Sequence, residues 1–141
     1  MIQQLSLWDA TFYSKSLRIV IQTDTRLTKN GLKTTHFRKI ANLTKKHREI
    51  ARNLALIAKQ EAEMTEPFKE CALEIVSFWA RKPMDYDGLA CAVAPAIDGI
   101  VDAKIIEDDS PKFIKSYQMY FVKVATMKEV RVEVCIRGVQ K

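Results

Sequence analysis

Glycine is scarce in this 141-residue chain, and so are the motifs that depend on it. With four glycines and no GxSxG, P-loop or GxGxxG, a glycine-lined phosphate cradle has little to be built from. Proline is equally sparse, at four residues. The three cysteines, Cys71, Cys91 and Cys135, lie far apart and form no CxxC, and the two histidines, His36 and His47, stand eleven residues apart. These spacings argue against a structural zinc or a histidine pair on one metal, and buried thiols of a reducing compartment are the expectation. No apolar run approaches the roughly 20 residues that span a bilayer. The opening MIQQLSLWDATFYSKSL has no basic n-region followed by an apolar stretch. A soluble, cytoplasmic protein without membrane contact is expected. No repeat, low-complexity segment or linker divides the chain, so residues 1–141 read as a single domain.

Hydrophobic residues make up 48% of the chain, enough for one real core, and the formal net charge is +6. That charge is uneven. Residues 1–60 hold 12 Lys/Arg against 3 Asp/Glu, and residues 61–141 hold 11 against 14. A basic half beside a mildly acidic half points to a polyanion at one part and cations at another, with nucleic acid the commonest polyanion.

Along the chain, the β-branched run Leu17–Asp24 predicts a strand, and Asn30-Gly31 predicts a loop or hairpin tip. From Thr35, a plausible N-cap, to Glu63 the pattern is helical. Phe37, Ile40, Leu43 or His47, Ile50, Leu54 and Ile57 recur at spacings of three and four as one apolar stripe. Other faces carry Arg38, Lys39, Lys45, Lys46, Arg48, Arg52 and Lys59, a basic excess suited to phosphates. Phe68–Ala80 alternates as a second strand, with Leu73, Ile75 and Ser77 on one side. Gly88–Ile105 has helical spacing interrupted by Pro95, which predicts a kink or a shortened helix. Phe113–Thr126 and Glu129–Gly138 read as two strands joined near Met127, expected to form an antiparallel pair. Trp8, Trp79 and the tyrosines are expected in the core or an interface rather than as base-stacking platforms. The order strand, long helix, strand, short helix, two strands defines a mixed α/β (α+β) fold.

Two acidic clusters bracket the short helix. KPMDYDGL places Asp85 and Asp87 two residues apart after a strand, and IIEDDSP places Glu107, Asp108 and Asp109 about twenty residues on. In extended backbone, residues two apart face the same way, so Asp85 and Asp87 are expected to project together. Two such carboxylates repel unless a cation or proton separates them, and Mg²⁺ takes one or two carboxylates with water and substrate phosphate. DxD also occurs in ordinary turns. If the helix returns the chain beside its start, one acid of the second cluster completes a site able to present water to a phosphodiester. Arg81 and Lys82 before the pair, and Lys104 and Lys112 around the second cluster, suit phosphate binding.

The stretch RKPMDYDGLACAVAPAIDGIVDAKIIEDDSP resembles the central motif of the RusA-like Holliday junction resolvases, in which a basic residue precedes Asp-x-Asp, an apolar helix follows and a DD opens the next strand. The upstream TKNGLKTTHFRKIANLTKKHREIARNLA resembles, more loosely, that family's basic N-terminal region. The resemblance implies a RusA-like fold and a Mg²⁺-dependent endonuclease, with Mn²⁺ able to substitute. Such an enzyme acts as a homodimer on four-way DNA junctions, in the cytoplasm of a bacterium or a phage-infected host. It assigns the metal ligands to Asp85, Asp87 and Asp109, and fits DNA contacts by Arg38, Lys39, Lys45, Lys46, Arg81, Lys82 and Lys104. This chain departs from the family pattern at Gly88, where Asn is usual, and at Cys91, where a Lys stands in the well-studied type. The alternative on the same scaffold is a non-catalytic, structure-selective DNA-binding protein.

Overall fold

The computed structural model describes residues 15–22, 27 and 29–139. Expectations for Trp8, for the end of the first strand at Asp24 and for most of the loop after it lie outside the described residues. The elements are β1 (Lys15–Ile21), α1 (Lys29–Thr34), α2 (Phe37–Glu61), β2 (Glu70–Trp79), α3 (Tyr86–Asp102), β3 (Ile114–Lys123), a 3₁₀ turn (Met127–Glu129) and β4 (Arg131–Val139).

The mixed α/β class holds, and the sheet order is β1-β4-β2-β3. β4 runs antiparallel to both β1 and β2, while β3 lies parallel to β2 on its other side. The expected β3–β4 hairpin is therefore corrected: the two strands are consecutive in sequence but have β2 between them. The cause is the β2-α3-β3 crossover, which requires β3 parallel to β2 and leaves β4 to fill the gap beside β1.

Period-two alternation sorts the strands correctly. Rungs such as Ile19–Val134–Ile75–Met119 and Leu17–Ile136–Leu73–Tyr117 point to one face, where β1, β2 and β4 are buried against the helices. The opposite face carries the next rungs, including Val20–Glu133–Val76–Tyr120, and no helix covers it among the described residues. Glu133 is nonetheless buried there because Arg18 (2.5 Å) and Arg131 (2.8 Å) close over its carboxylate from either side. The single-face core joins Leu89, Val93, Ile97 and Ile100 of α3 to the inner residues of the sheet.

Two local expectations are corrected. Asn30-Gly31 lies inside α1 rather than at a hairpin tip, because the Gly31 carbonyl accepts from the Thr35 amide (3.0 Å) and the Thr34 hydroxyl (3.3 Å), closing a helical turn. No described glycine has positive φ, so the conformation that makes Asn-Gly a turn signal is not used. His36, not Thr35, caps α2, with Nδ1 accepting from the Arg38 amide at 3.3 Å. α3 runs from Tyr86 to Asp102 with the buried Pro95 inside it, so the proline does not end the helix, although its missing N–H costs a helical hydrogen bond.

The long helix turns a rotated face inward: Leu54 of the expected stripe packs against the core and Ile40, Leu43 and His47 are half-buried, but the centre of the contact is alanine. Its fully buried residues are Ala51 and Ala55, while Phe37, Ile50 and Ile57 of the expected stripe are 70%, 43% and 53% exposed. The reason is Gly99 on α3. A Cβ there would stand 2.8 Å from the Arg52 amide nitrogen and closer still to the Arg48 carbonyl oxygen, so the two helices meet nearly backbone to backbone. Only an alanine face fits that approach.

Both helices end without glycine, yet with the same device. Glu63 (φ 53°) and Lys104 (φ 61°) take the left-handed conformation after the C-caps Ala62 and Ala103. In α3 the Lys104 amide bonds to Val101 O at 2.9 Å and the Ile105 amide to Ile100 O at 3.4 Å. This is the Schellman arrangement, sealed by the buried Ile100 and Ile105.

Cys71 is buried, as expected, whereas Cys91 and Cys135 are half-exposed. Burial pushes the Cys71 thiol up to about 12. Between pH 9 and that value the unfolded chain releases a proton that the folded chain keeps, so stability falls as pH rises, by up to about 1.4 kcal/mol per unit. Urea midpoints measured from pH 8 to 11 are expected to fall more steeply for the native protein than for Cys71→Ala.

Candidate functional site

β2 ends at Trp79, and Pro83 in the following segment stops any return to strand pairing. Met84 packs against the core and brings Asp85 to the start of α3. Asp85 is the N-cap: its backbone is extended (φ −80°, ψ 176°) and its Oδ1 accepts from the Gly88 amide at 2.6 Å. Asp87 sits in the first helical turn, where the positive end of the helix dipole favours a carboxylate. Both side chains are exposed. The expectation of a strand-like pair is corrected here, because the helix begins at Tyr86 and residues two apart on a helix do not face each other. What remains is two hard oxygen donors on one exposed helix start, with Asp85 committing one oxygen to the cap. Between them the Tyr86 ring meets Phe121 edge-on at 5.0 Å.

Asp109 stands elsewhere. The bridge between Ile106 and Phe68 ties the chain just before it to the beginning of β2, at the end of the sheet opposite the Asp85 turn. It lines a groove of about 210 Å³ with Ala90, Ala94 and Asp98 of α3 and Ile114 and Tyr117 of β3. Asp98 and Asp87 are eleven residues apart, about 16 Å along the axis at 1.5 Å per residue. A helix between parallel strands carries the chain away from its starting end, so Asp109 does not join Asp85 and Asp87. Among the described residues no group of three or more His, Cys, Asp or Glu is arranged to hold one metal.

Eleven residues are also three helical turns, which puts Asp87 and Asp98 on the same side of α3 with Ala90 and Ala94 between. The carboxylates thus mark two ends of a small-residue strip. Asp98 escaped the sequence reading, although its spacing from Asp87 carried the signal. Burial raises the Asp98 carboxyl, opposed by Arg48 and reinforced by Asp109 and Asp102. Asp102, one turn further, is held below the usual carboxylate range chiefly by its hydrogen bond with Arg48. That pair is bidentate, Arg48 Nε and Nη2 donating at 2.6 and 2.8 Å.

The basic residues of α2 therefore divide. Arg48 holds Asp102, and Lys59 donates to the Ala103 carbonyl at the end of α3 (3.2 Å). Arg38, Lys39, Lys45 and Lys46 stand exposed on the first half of the helix, Arg38 lying 5.9 Å from the Phe37 ring. Arg81 and Lys82 are exposed immediately before Asp85, and neither is ion-paired among the described residues. Lys104 is exposed beyond the far end of α3, near Asp102 rather than the DxD turn. Glu107 and Asp108 are solvated.

Matched against protein-family models and against curated proteins, the chain agrees with none. No helix among the described residues is long and apolar enough to cross a membrane.

Proposed function

We propose that this chain is a RusA-like, Mg²⁺-dependent endonuclease that hydrolyses phosphodiester bonds in branched DNA. The observation that carries the reading is the helix start bearing exposed Asp85 and Asp87 directly after Arg81 and Lys82, which have no ion-pair partner among the described residues. Two carboxylates fit Mg²⁺, which keeps several waters and completes its shell with substrate phosphate. A bound ion, or Mn²⁺ in its place, supplies an activated water and polarises the phosphodiester. Asp85 and Asp87 orient the ion, while Arg81 and Lys82 hold the neighbouring phosphates. Arg38, Lys39, Lys45 and Lys46 attract the DNA arms over a longer range. Asp109, the third ligand implied by the resemblance, lines the groove with Asp98, apart from the DxD turn, and belongs to no three-residue metal group among the described residues. That separation favours the second reading, a non-catalytic DNA-binding protein.

A homodimer is part of the proposal. Ile50 and Ile57 are exposed and stand seven residues apart on α2, one heptad, as along a coiled-coil seam, whereas Leu54 between them packs against the chain's own core. Ile50→Glu combined with Ile57→Glu is expected to convert a dimer to a folded monomer in sedimentation, because neither residue belongs to the core of one chain. An unchanged mass would remove the seam.

The assay that tests the function compares a labelled four-way junction, a linear duplex and a small phosphodiester, each with and without Mg²⁺. Junction nicking that requires Mg²⁺ is expected. Salt-sensitive junction binding without nicks at any Mg²⁺ or Mn²⁺ concentration would leave the second reading.

A further inference from the structure

Beside the DxD turn the core is left open. A cavity of about 250 Å³ lies where β2 finishes, between the start of β4 and the segment leading to Asp85. Its walls are apolar and flat or adaptable: Trp79 from the inner row of β2, Met84 from the connecting segment and Met127 from the 3₁₀ turn, while Phe78, on the other face of the strand, borders it with its ring under Arg131. Ser77, only 4% exposed, is the one polar residue on the inner row of β2 and lines the same cavity. Trp79 is half-exposed and faces this space.

The rim is cationic. Arg81 and Lys82 border the cavity with no ion-pair partner among the described residues. Arg131 also borders it, fixed by Glu133 and the Glu129 carbonyl, with its guanidinium 3.9 Å from the Phe78 ring centroid. An apolar slot with the Trp79 ring as its aromatic wall, Lys123 5.5 Å from that ring and Arg81 and Lys82 at the lip, calls for a flat ligand joined to an anion. The space equals that of about eight waters at roughly 30 Å³ each, room for one ring system and too little for a base pair. The chain then continues within five residues of Trp79 to Pro83 and Met84, and next to the Asp85 N-cap.

We propose that this cavity receives a single unpaired nucleobase of the DNA strand whose phosphate would meet the metal ion held by Asp85 and Asp87. The inference rests on the nuclease reading and names what that site selects: a base already freed from its stack, as at a branch point, in place of a sequence. A stacked, paired base cannot enter without the cost of unstacking, a few kcal/mol, whereas a free base gains stacking on Trp79.

The test uses the Trp8→Phe protein, in which Trp79 is the sole tryptophan, with Ca²⁺ in place of Mg²⁺. A short single-stranded oligonucleotide is expected to quench Trp79 emission by about half or more, and a blunt duplex to leave it unchanged. By anisotropy of labelled DNA, Met127→Trp is expected to weaken single-strand binding about tenfold and spare duplex binding. Met127 is exposed, so this change fills the cavity mouth without touching the core. Equal quenching by both DNAs, or quenching by neither while Mg²⁺-dependent nicking persists, would overturn the pocket and keep the nuclease. Selective quenching in a protein that never nicks supports the pocket and overturns the nuclease. No binding of any DNA would overturn both.

Discussion

Asp87→Asn is expected to lower Mg²⁺-dependent junction nicking by about 100-fold or more, with junction binding in Ca²⁺ unimpaired. The substitution keeps the shape and polarity of the side chain in the first turn of α3 while removing the charge that a hard cation requires. Asp85 needs separate treatment because it also starts the helix. Asn is as good an N-cap as Asp, so Asp85→Asn is expected to lose nicking while keeping its thermal midpoint. Asp85→Ala loses the cap to the Gly88 amide as well, at a cost of about 1 kcal/mol. A drop in activity that tracks stability across the two Asp85 variants would mean that the residue acts only as a cap.

Gly99→Val is expected to be among the most destabilising single changes available in the described core. Gly99 is fully packed where α3 crosses α2, and its missing Cβ is what lets the helices approach. The atoms in the way are backbone: the Arg48 carbonyl oxygen and the Arg52 amide nitrogen at 2.8 Å. Backbone atoms inside a helix cannot rotate aside, so α2 must move as a unit and lose the Arg48–Asp102 pair with it. Overpacking typically costs 1–3 kcal/mol, and this site is expected to reach or exceed about 3 kcal/mol in urea unfolding. Gly99→Ala is expected to be milder but still clearly destabilising. A neutral Gly99→Ala would show that the crossing is looser than described.

Much of the architecture was legible because period-two burial is a local signal. Leu73, Ile75 and Ser77 alternate inward as read, and the two long helical segments carry periodic apolar residues. What was not legible depends on partners far away in sequence. Nothing in Glu129–Gly138 says that β4 pairs with β1 and β2 rather than β3. The centre of the inward face of α2 is alanine because of a glycine some forty-five residues later, so Leu54 of the stripe packs inward while Ile50 and Ile57 do not. Turn chemistry failed at Gly31 for the opposite reason, since a helix used a residue pair that favours hairpins. The Schellman ends at Glu63 and Lys104 lacked the glycine that announces them.

The acidic site was half legible. Asp85 and Asp87 lie together on an exposed turn beside basic residues, but as a helix cap and first-turn acid rather than as strand neighbours. The arrival of Asp109 depended on where the crossover ends. The direction of α3 sends it to Asp98 instead.

Mn²⁺ binding followed by electron paramagnetic resonance tests the central claim most directly, using the native protein and the combined Asp85→Asn, Asp87→Asn variant, each with and without a four-way junction. The account predicts saturable Mn²⁺ uptake by the native protein, tighter with DNA because phosphate completes the shell, and none by the variant. Equal uptake by both proteins would contradict it.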